Sequence, residues 1–335
     1  MEYKYIVCTS CPTYNHKPFI KMAMDGFCMQ KTNFPVVTVI IDDASTDGTD
    51  MIIRDYVEQN FEFNDKSISY QKNTDFGNIT FARHKSNKNC YFAVIYLKEN
   101  HYSKNISKEI YREEWTRASK YMAICEGDDY WIDENKLQIQ VDFLDNNKDY
   151  SICSHRIYKY DEDNKLYYED RLNRLFKQQE GIDYDNRSKV WLSETSSVVY
   201  RKESNAEYEL YPNTIRDNIH VYFLLKVGKG FCLNKRMSVY RQHMGGVFSK
   251  QNVKKRLLEG GYMALKELYE YEKTPDSRFL YLYCYANTFL STKGTILFKE
   301  PFELWKILSL FRFIPFTLSG IHPVYKVLPN AKEIE

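Results

Sequence analysis

Residues Val36-Val37-Thr38-Val39-Ile40-Ile41 form six consecutive apolar or β-branched positions with no polar alternation. A strand with one wet face alternates. An unbroken run of this kind marks a strand covered on both faces, as in sheets whose crossover helices lie on each side. The segments around it agree. Tyr5 to Thr9 reads as a first strand, followed by a helix over about Lys17 to Gln30. A second helix starts after Ile41, with Asp47 or Thr49 as its N-cap. Tyr91 to Tyr96 is another strand, a helix crosses about Lys108 to Ser119, and Tyr121 to Ile124 is a strand before a helix from Lys136. Strand and helix alternate, which predicts an α/β fold with a mainly parallel, doubly wound sheet. Residues 67–89 are polar and carry no clear period.

At 335 residues the chain can hold one large α/β domain, 1–250, and a C-terminal helical region, 251–335. The second half reads as a hairpin over Ser151 to Tyr168, a strand at Ser196 to Tyr200, and a helix over Asn218 to Val227 closed by Gly228 and Gly230. Two short strands follow, Phe231 to Leu233 and Met237 to Tyr240. A net charge of +2 gives no electrostatic footprint for nucleic acid. The eight cysteines are scattered, and Cys8-x-x-Cys11 lies inside the first strand without a second pair at zinc spacing. Met1 leads directly toward a strand and not into a signal peptide, so the expectation is a reduced cytoplasmic protein. The first strand is not followed by Gly-x-Gly-x-x-Gly, and no P-loop is present, which argues against a dinucleotide dehydrogenase and an ordinary NTPase.

The run Cys125-Glu126-Gly127-Asp128-Asp129-Tyr130-Trp131 sets three carboxylates at the end of a short apolar strand. Acids gathered there are unfavourable unless a cation neutralises them, and a divalent metal carrying a diphosphate is the natural candidate. With 45 acidic residues in 335, about three such windows are expected by chance, so context decides. Asp161-Glu162-Asp163-Asn164 is a counterexample: alternating aromatic flanks make it a hairpin turn with solvated acids. Two further polar loops stand at strand ends, Pro12-Thr13-Tyr14-Asn15 and Asp42-Asp43-Ala44-Ser45-Thr46-Asp47-Gly48-Thr49. Each alone reads equally as a capped βα turn. Together with the acids they read as a nucleotide pocket at the carboxyl edge of an open sheet.

These motifs, in this order, resemble the inverting glycosyltransferases of family 2, with the glycosyltransferase-A fold. Lys136-Leu137-Gln138-x-Gln140-Val141-Asp142-Phe143-Leu144 and Val239-Tyr240-Arg241-x-His243-x-Gly245-Gly246-Val247-Phe248-Ser249 extend the likeness, which covers about residues 3 to 250. The resemblance implies a nucleotide-sugar site with Thr13, Tyr14, Asn15 and Asp43 near the nucleoside, and Tyr14 stacking on the base. Glu126-Gly127-Asp128 takes the place of the family's Asp-x-Asp, with Glu126 as a departure from the first Asp. Asp128 would bind Mn²⁺ or Mg²⁺, with His243 completing the metal shell or meeting the diphosphate. Asp129 would lie behind the metal or hold hydroxyls, and Arg241 would pair with the departing diphosphate or with a surface carboxylate. Asp217 corresponds to the catalytic base, or else simply caps its helix; Arg216 stands before it where the family often has Gly or Glu.

The implied reaction moves a sugar from a nucleotide-sugar donor, UDP first among nucleotides, to a glycan or lipid-linked acceptor in bacterial polysaccharide synthesis. The alternatives are a sugar-nucleotide-binding protein without transfer, and a sugar nucleotidyltransferase. Leu304, Ile307, Leu308, Phe311, Ile314 and Leu318 recur at helical spacing within residues 302–328. Arg312 and Pro315 interrupt the stretch, so it suits a membrane surface at the inner face, or packing against the domain or another subunit, and not a bilayer span.

Overall fold

A computed structural model describes residues 2–170, 180–184, 190, 193–212, 217–246 and 261–291. The first half contains β1 (Tyr5–Thr13), α1 (Ile20–Cys28), β2 (Val36–Asp42), α2 (Thr49–Asn60), β3 (Phe61–Glu62), β4 (Ser69–Asn73), β5 (Gly77–His84) and β6 (Cys90–Leu97). It continues through α3 (Glu109–Arg117), β7 (Ser119–Ile124), β8 (Tyr130–Trp131) and α4 (Lys136–Asn146). The second half adds β9 (Tyr150–Asp161), β10 (Leu166–Glu169), β11 (Gly181–Tyr184), β12 (Val199–Arg201), α5 (Ala206–Glu209), α6 (Asp217–Val227) and β13 (Lys229–Gln242). Two helices, α7 (Ala264–Glu272) and α8 (Pro275–Ser291), close the described chain.

The strands form one sheet in the order β11-β13-β9-β12-β7-β1-β2-β6-β5-β3. The segment β7-β1-β2-β6 is wholly parallel. On its flanks β5 runs antiparallel to β6, and β12 antiparallel to β7 and β9. The parallel sheet read from the sequence is therefore a parallel centre within a mixed sheet. Short turns such as those joining β4 to β5 and β9 to β10 permit only antiparallel neighbours, whereas parallel ones need a crossover. Strand β4 has one buried residue and four exposed ones, which is why residues 67–89 carried no periodic signal. The two short strands expected near Phe231 and Met237 are one strand, β13; its pairing with β9 shifts register between Leu233 and Ser238, where polar Asn234, Lys235 and Arg236 interrupt the apolar pattern.

The run in β2 is buried throughout. Val37, Val39 and Ile41 enter one core with Cys8, Ile95 and Met122, while Val36 and Ile40 enter the other with Val7, Cys11 and Val94. Helices α1, α2 and α4 cover the second face through Phe27, Ile53 and Leu137; α3, α6, α7 and α8 contribute Trp115, Phe223, Leu265 and Leu280 to the first. Each such side chain contributes about 1.5–3 kcal/mol by leaving water. Cys8 and Cys11 sit on opposite faces, so they cannot chelate together, and all eight cysteines are unbridged. No helix among the described residues is long and apolar enough to cross a membrane. The stretch 302–328 lies outside the described residues.

Lys136, at the start of α4, is fully buried, with Nζ donating to Gln140 Oε1 at 2.8 Å above the Trp131 ring. Burial pulls its ammonium down to about 7 from 10.5. The unfolded chain thus holds more protons than the folded one between those values, and the stability contributed by Lys136 rises with pH there, by up to about 1.4 kcal/mol per unit. Urea unfolding at about pH 7 and about pH 9 is expected to show a larger gain in wild type than in Lys136→Met, which lacks the titrating group.

Candidate active site

Because β7, β1, β2 and β6 are parallel, their carboxyl ends share one edge, and the loops leaving them meet there. Main-chain bonds set them level: Asp43 N–H donates to Thr13 O at 3.0 Å and Gly127 N–H to Pro12 O at 3.1 Å. Asn15, in left-handed backbone at φ 56°, links two of the loops. Its N–H donates to Ser45 Oγ at 2.9 Å, and its Oδ1 accepts from Thr46 N–H at 2.8 Å. Asp47 accepts from Lys17 N–H and Thr49 N–H, while Gly48, at φ 92°, occupies the N-cap position of α2. Thr13 is buried between the loops, and Tyr14 stands exposed at the rim.

The acidic loop is pressed against the first. A Cβ on Gly127 would lie 2.5 Å from Thr13 Oγ1 and 3.0 Å from His16 Nδ1, so only glycine fits. Strand β8 then pairs with β13, bringing Arg241 and His243 alongside the acids. Asp129 is buried and accepts Arg241 N–H at 2.9 Å. Burial, and then the charges of Asp128 and Glu126, push its carboxyl well above the usual range. The Arg241 guanidinium donates through Nε to Asp128 O at 3.0 Å, pairs with Glu162, and lies over the Phe19 and Tyr130 rings. The hairpin expected around Glu162 is present, but Glu162 is not a solvated acid: it turns inward to Arg241, 79 residues away. Removing Arg241 leaves Glu162 unpaired and the acidic loop without its brace. Arg241→Ala is expected to lower stability by about 3 kcal/mol, the lower end for a broken buried pair given the partial exposure of Glu162, measurable by urea unfolding.

Asp128 lies between two imidazoles. His243 Nε2 is 3.1 Å from Asp128 Oδ2 and His16 Nε2 is 3.7 Å from it, and one donor atom from each residue falls within 4.8 Å of the others. Burial works to raise Asp128, but the His243 hydrogen bond and the nearby His16 outweigh it and hold the carboxyl below its ordinary value. Burial pulls His16 below its ordinary value. Asp128 Oδ1 is buried with no hydrogen-bond partner. An ionised carboxylate with an unused oxygen beside imidazole nitrogens is a donor set that suits Mn²⁺ or a similar divalent ion.

Glu126 is exposed to solvent at its surface but has protein packed densely around it. Desolvation there, with the charges of Asp128 and Asp217, pushes its carboxyl up to about 8 against the pull of Lys108. Asp217 begins α6 and accepts a hydrogen bond from Thr195 Oγ1 at 2.9 Å. The 3-10 turn Thr195–Ser197 is tied to the acidic loop, since Trp131 Nε1 donates to Ser196 O at 2.9 Å. Arg216 lies outside the described residues. Asp43 is fully buried, accepting from His101 N–H at 2.8 Å, Tyr102 N–H at 3.0 Å and Lys108 Nζ at 2.8 Å, so it fastens the segment that follows β6.

The fold thus gathers Thr13, Asp128 and His243 with His16, and sets Glu126 within electrostatic reach of Asp217. Asn15, Asp43, Asp129 and Arg241 face protein partners. His16 and Lys108 carry no role in the sequence reading, and Glu162 stands there only as a solvated turn acid. His16 adjoins the Pro12–Asn15 motif, and a census of histidines in strand-end loops finds it; the other two depend on contacts distant in the chain.

No family model matches the chain. An uncharacterized protein of Mycobacterium tuberculosis, Rv1520, is 28% identical over 241 residues, 70% of this chain and 58% of that protein, so the chain spans less than two thirds of the relative it matches. An uncharacterized glycosyltransferase of Mycoplasma pneumoniae is 26% identical over 133 residues, 39% of this chain and 34% of its own. Among solved structures, S. aureus TarS 1-349 in complex with UDP-GlcNAc superposes with a TM-score of 0.58 at 14% identity, covering 95% of this chain and 82% of that one. The mannosyltransferase PcManGT of Pyrobaculum calidifontis, in complex with GDP-Man and Mn²⁺, gives 0.52 at 13%, covering 94% and 81%. The chain has the fold of these glycosyltransferases, a mixed sheet with flanking helices.

Proposed function

We propose that this chain is a metal-dependent, inverting glycosyltransferase of family 2 type, moving a sugar from a nucleotide diphosphate to an acceptor hydroxyl. The observation that carries this is the grouping of Asp128, His16 and His243 against the Thr13 loop, at the edge where open α/β sheets bind ligands. Neighbours of the same fold are complexed with UDP-GlcNAc and with GDP-Man and Mn²⁺, which supports a sugar nucleotide as donor. UDP is the nucleotide we favour.

In this reading Asp128, with imidazole beside it, would hold a divalent cation, which would supply positive charge for the leaving diphosphate. Thr13 and Tyr14 line the nucleoside end. Asp43 braces the segment from His101 to Lys108 that closes this end, and Lys108 adds a cation near Glu126. Asp217 removes the acceptor proton as the bond to the anomeric carbon forms, opposite the departing group, so configuration inverts without a covalent enzyme intermediate. Asp129 and Arg241 fix the acidic loop from behind. The acceptor is a glycan or a lipid-linked sugar of bacterial polysaccharide assembly, met at the cytoplasmic membrane face, with residues 302–328 as the contact to lipid or to another subunit. Donor hydrolysis over a panel of UDP- and GDP-sugars, with Mn²⁺ and with chelator, tests the reading. Mn²⁺-dependent release of nucleotide from one donor is expected, and binding without release from any donor or acceptor combination points to a protein that has lost transfer.

A further inference from the structure

The hydrogen bonds on the two imidazoles beside Asp128 give them different roles. A ring nitrogen that accepts a hydrogen bond has its lone pair engaged, and in a neutral ring the proton then sits on the other nitrogen. Gly245 N–H donates to His243 Nδ1 at 3.1 Å. A Cβ at Gly245 would come within 2.9 Å of that atom, so glycine allows the amide to sit this close to the ring. The proton of His243 is therefore on Nε2, which donates to Asp128 Oδ2 at 3.1 Å. A nitrogen in that state offers no lone pair to a cation.

His16 is arranged in the opposite sense. Its Nδ1 lies 3.1 Å from the hydroxyl of Thr13, and its Nε2 lies 3.7 Å from Asp128 Oδ2, beyond hydrogen-bond range. Among the described residues none accepts a hydrogen bond from Nε2. We propose that Thr13 accepts from His16 Nδ1 and so presents the Nε2 lone pair as the imidazole ligand beside the Asp128 carboxylate. His243 is then an outer partner that orients Asp128 through its Nε2–H. The open oxygen of this pair is Asp128 Oδ1, buried without a partner. Ligands held by such outer hydrogen bonds are the usual build of metal centres. The inference rests on the metal-dependent reading above and divides its residues differently from the resemblance, which pointed to His243.

Glutamine separates the roles, since it keeps an N–H donor but brings no imidazole lone pair. Mn²⁺ is titrated into the full chain, alone and with UDP, and free Mn²⁺ is read by electron paramagnetic resonance. His16→Gln is expected to weaken uptake by more than the about 10–100-fold typical of losing an outer partner, and His243→Gln, which keeps an N–H for Asp128, by less than that. A second variant, His16→Asp, keeps a ligand but no nitrogen. Electron spin-echo modulation of bound Mn²⁺ by a directly coordinated ¹⁴N is expected in wild type and His243→Gln, and lost in His16→Asp. Nitrogen modulation surviving in His16→Asp and vanishing in His243→Gln overturns the assignment and leaves the metal reading standing. A wild type that takes up no Mn²⁺ in either titration overturns both.

Discussion

With Asn in place of Asp217, turnover is expected to fall by about 10²–10⁴-fold, the usual contribution of a positioned general base. Donor affinity and thermal midpoint are expected to stay close to wild type. The substitution is chosen because Asn keeps the shape of Asp and still offers an oxygen to Thr195, whose Oγ1 donates to Asp217 Oδ2 at 2.9 Å. A role confined to the Thr195 hydrogen bond is therefore preserved in the variant, while proton removal is lost. Single-turnover kinetics with saturating donor separates the two, and a variant that transfers at wild-type rate reduces Asp217 to a structural role. Asp217→Ala, which also loses the first-turn charge and the acceptor for Thr195, adds a stability loss of about 1 kcal/mol to the same kinetic defect.

Asp128→Asn should act on the other half of the reaction. Loss of the charged oxygen that faces the cation is expected to lower kcat/KM by about 10²–10³-fold and to abolish the rise in thermal midpoint that Mn²⁺ gives wild type. In chelator the variant is expected to lose some stability, because the fold holds the Asp128 carboxyl below its ordinary value and so favours its charge. Three carboxylates crowd this loop: the Asp128 charge is the second cause, after burial, of the upward displacement of both Glu126 and Asp129. Neutralising Asp128 relieves that repulsion, and Asn Oδ1 can still accept from His243, which limits the loss. Differential scanning calorimetry with Mn²⁺ and with chelator reads both effects. A variant that keeps the full Mn²⁺ shift places the cation elsewhere.

Much of this arrangement was legible because it is local. The β2 run announced a strand buried on both sides, and three polar loops at strand ends announced a common edge once those strands were taken as parallel. What escaped depends on contacts that no window of sequence contains. The inward turn of Glu162 is set by Arg241, and the engagement of Asp43 by His101, Tyr102 and Lys108. The antiparallel flanks were hidden because an exposed edge such as β4 shows no apolar period, and the length of β13 because a register shift breaks its pattern. His16 escaped for a different reason: a single histidine beside a recognisable motif has no meaning until Asp128, far along the chain, is folded onto it.

The crowding at Gly127 has a consequence for how such a protein can change its partners. The gap between the first loop and the acidic loop is gauged by main chain and by Thr13, and any side chain at that spot collides with both Thr13 and His16. Its width is therefore not adjustable by substitution at Gly127. Divergence in what the cleft accepts has to be written on its mouth, where Tyr14 and Tyr102 stand in solvent and can be exchanged without disturbing the jaws.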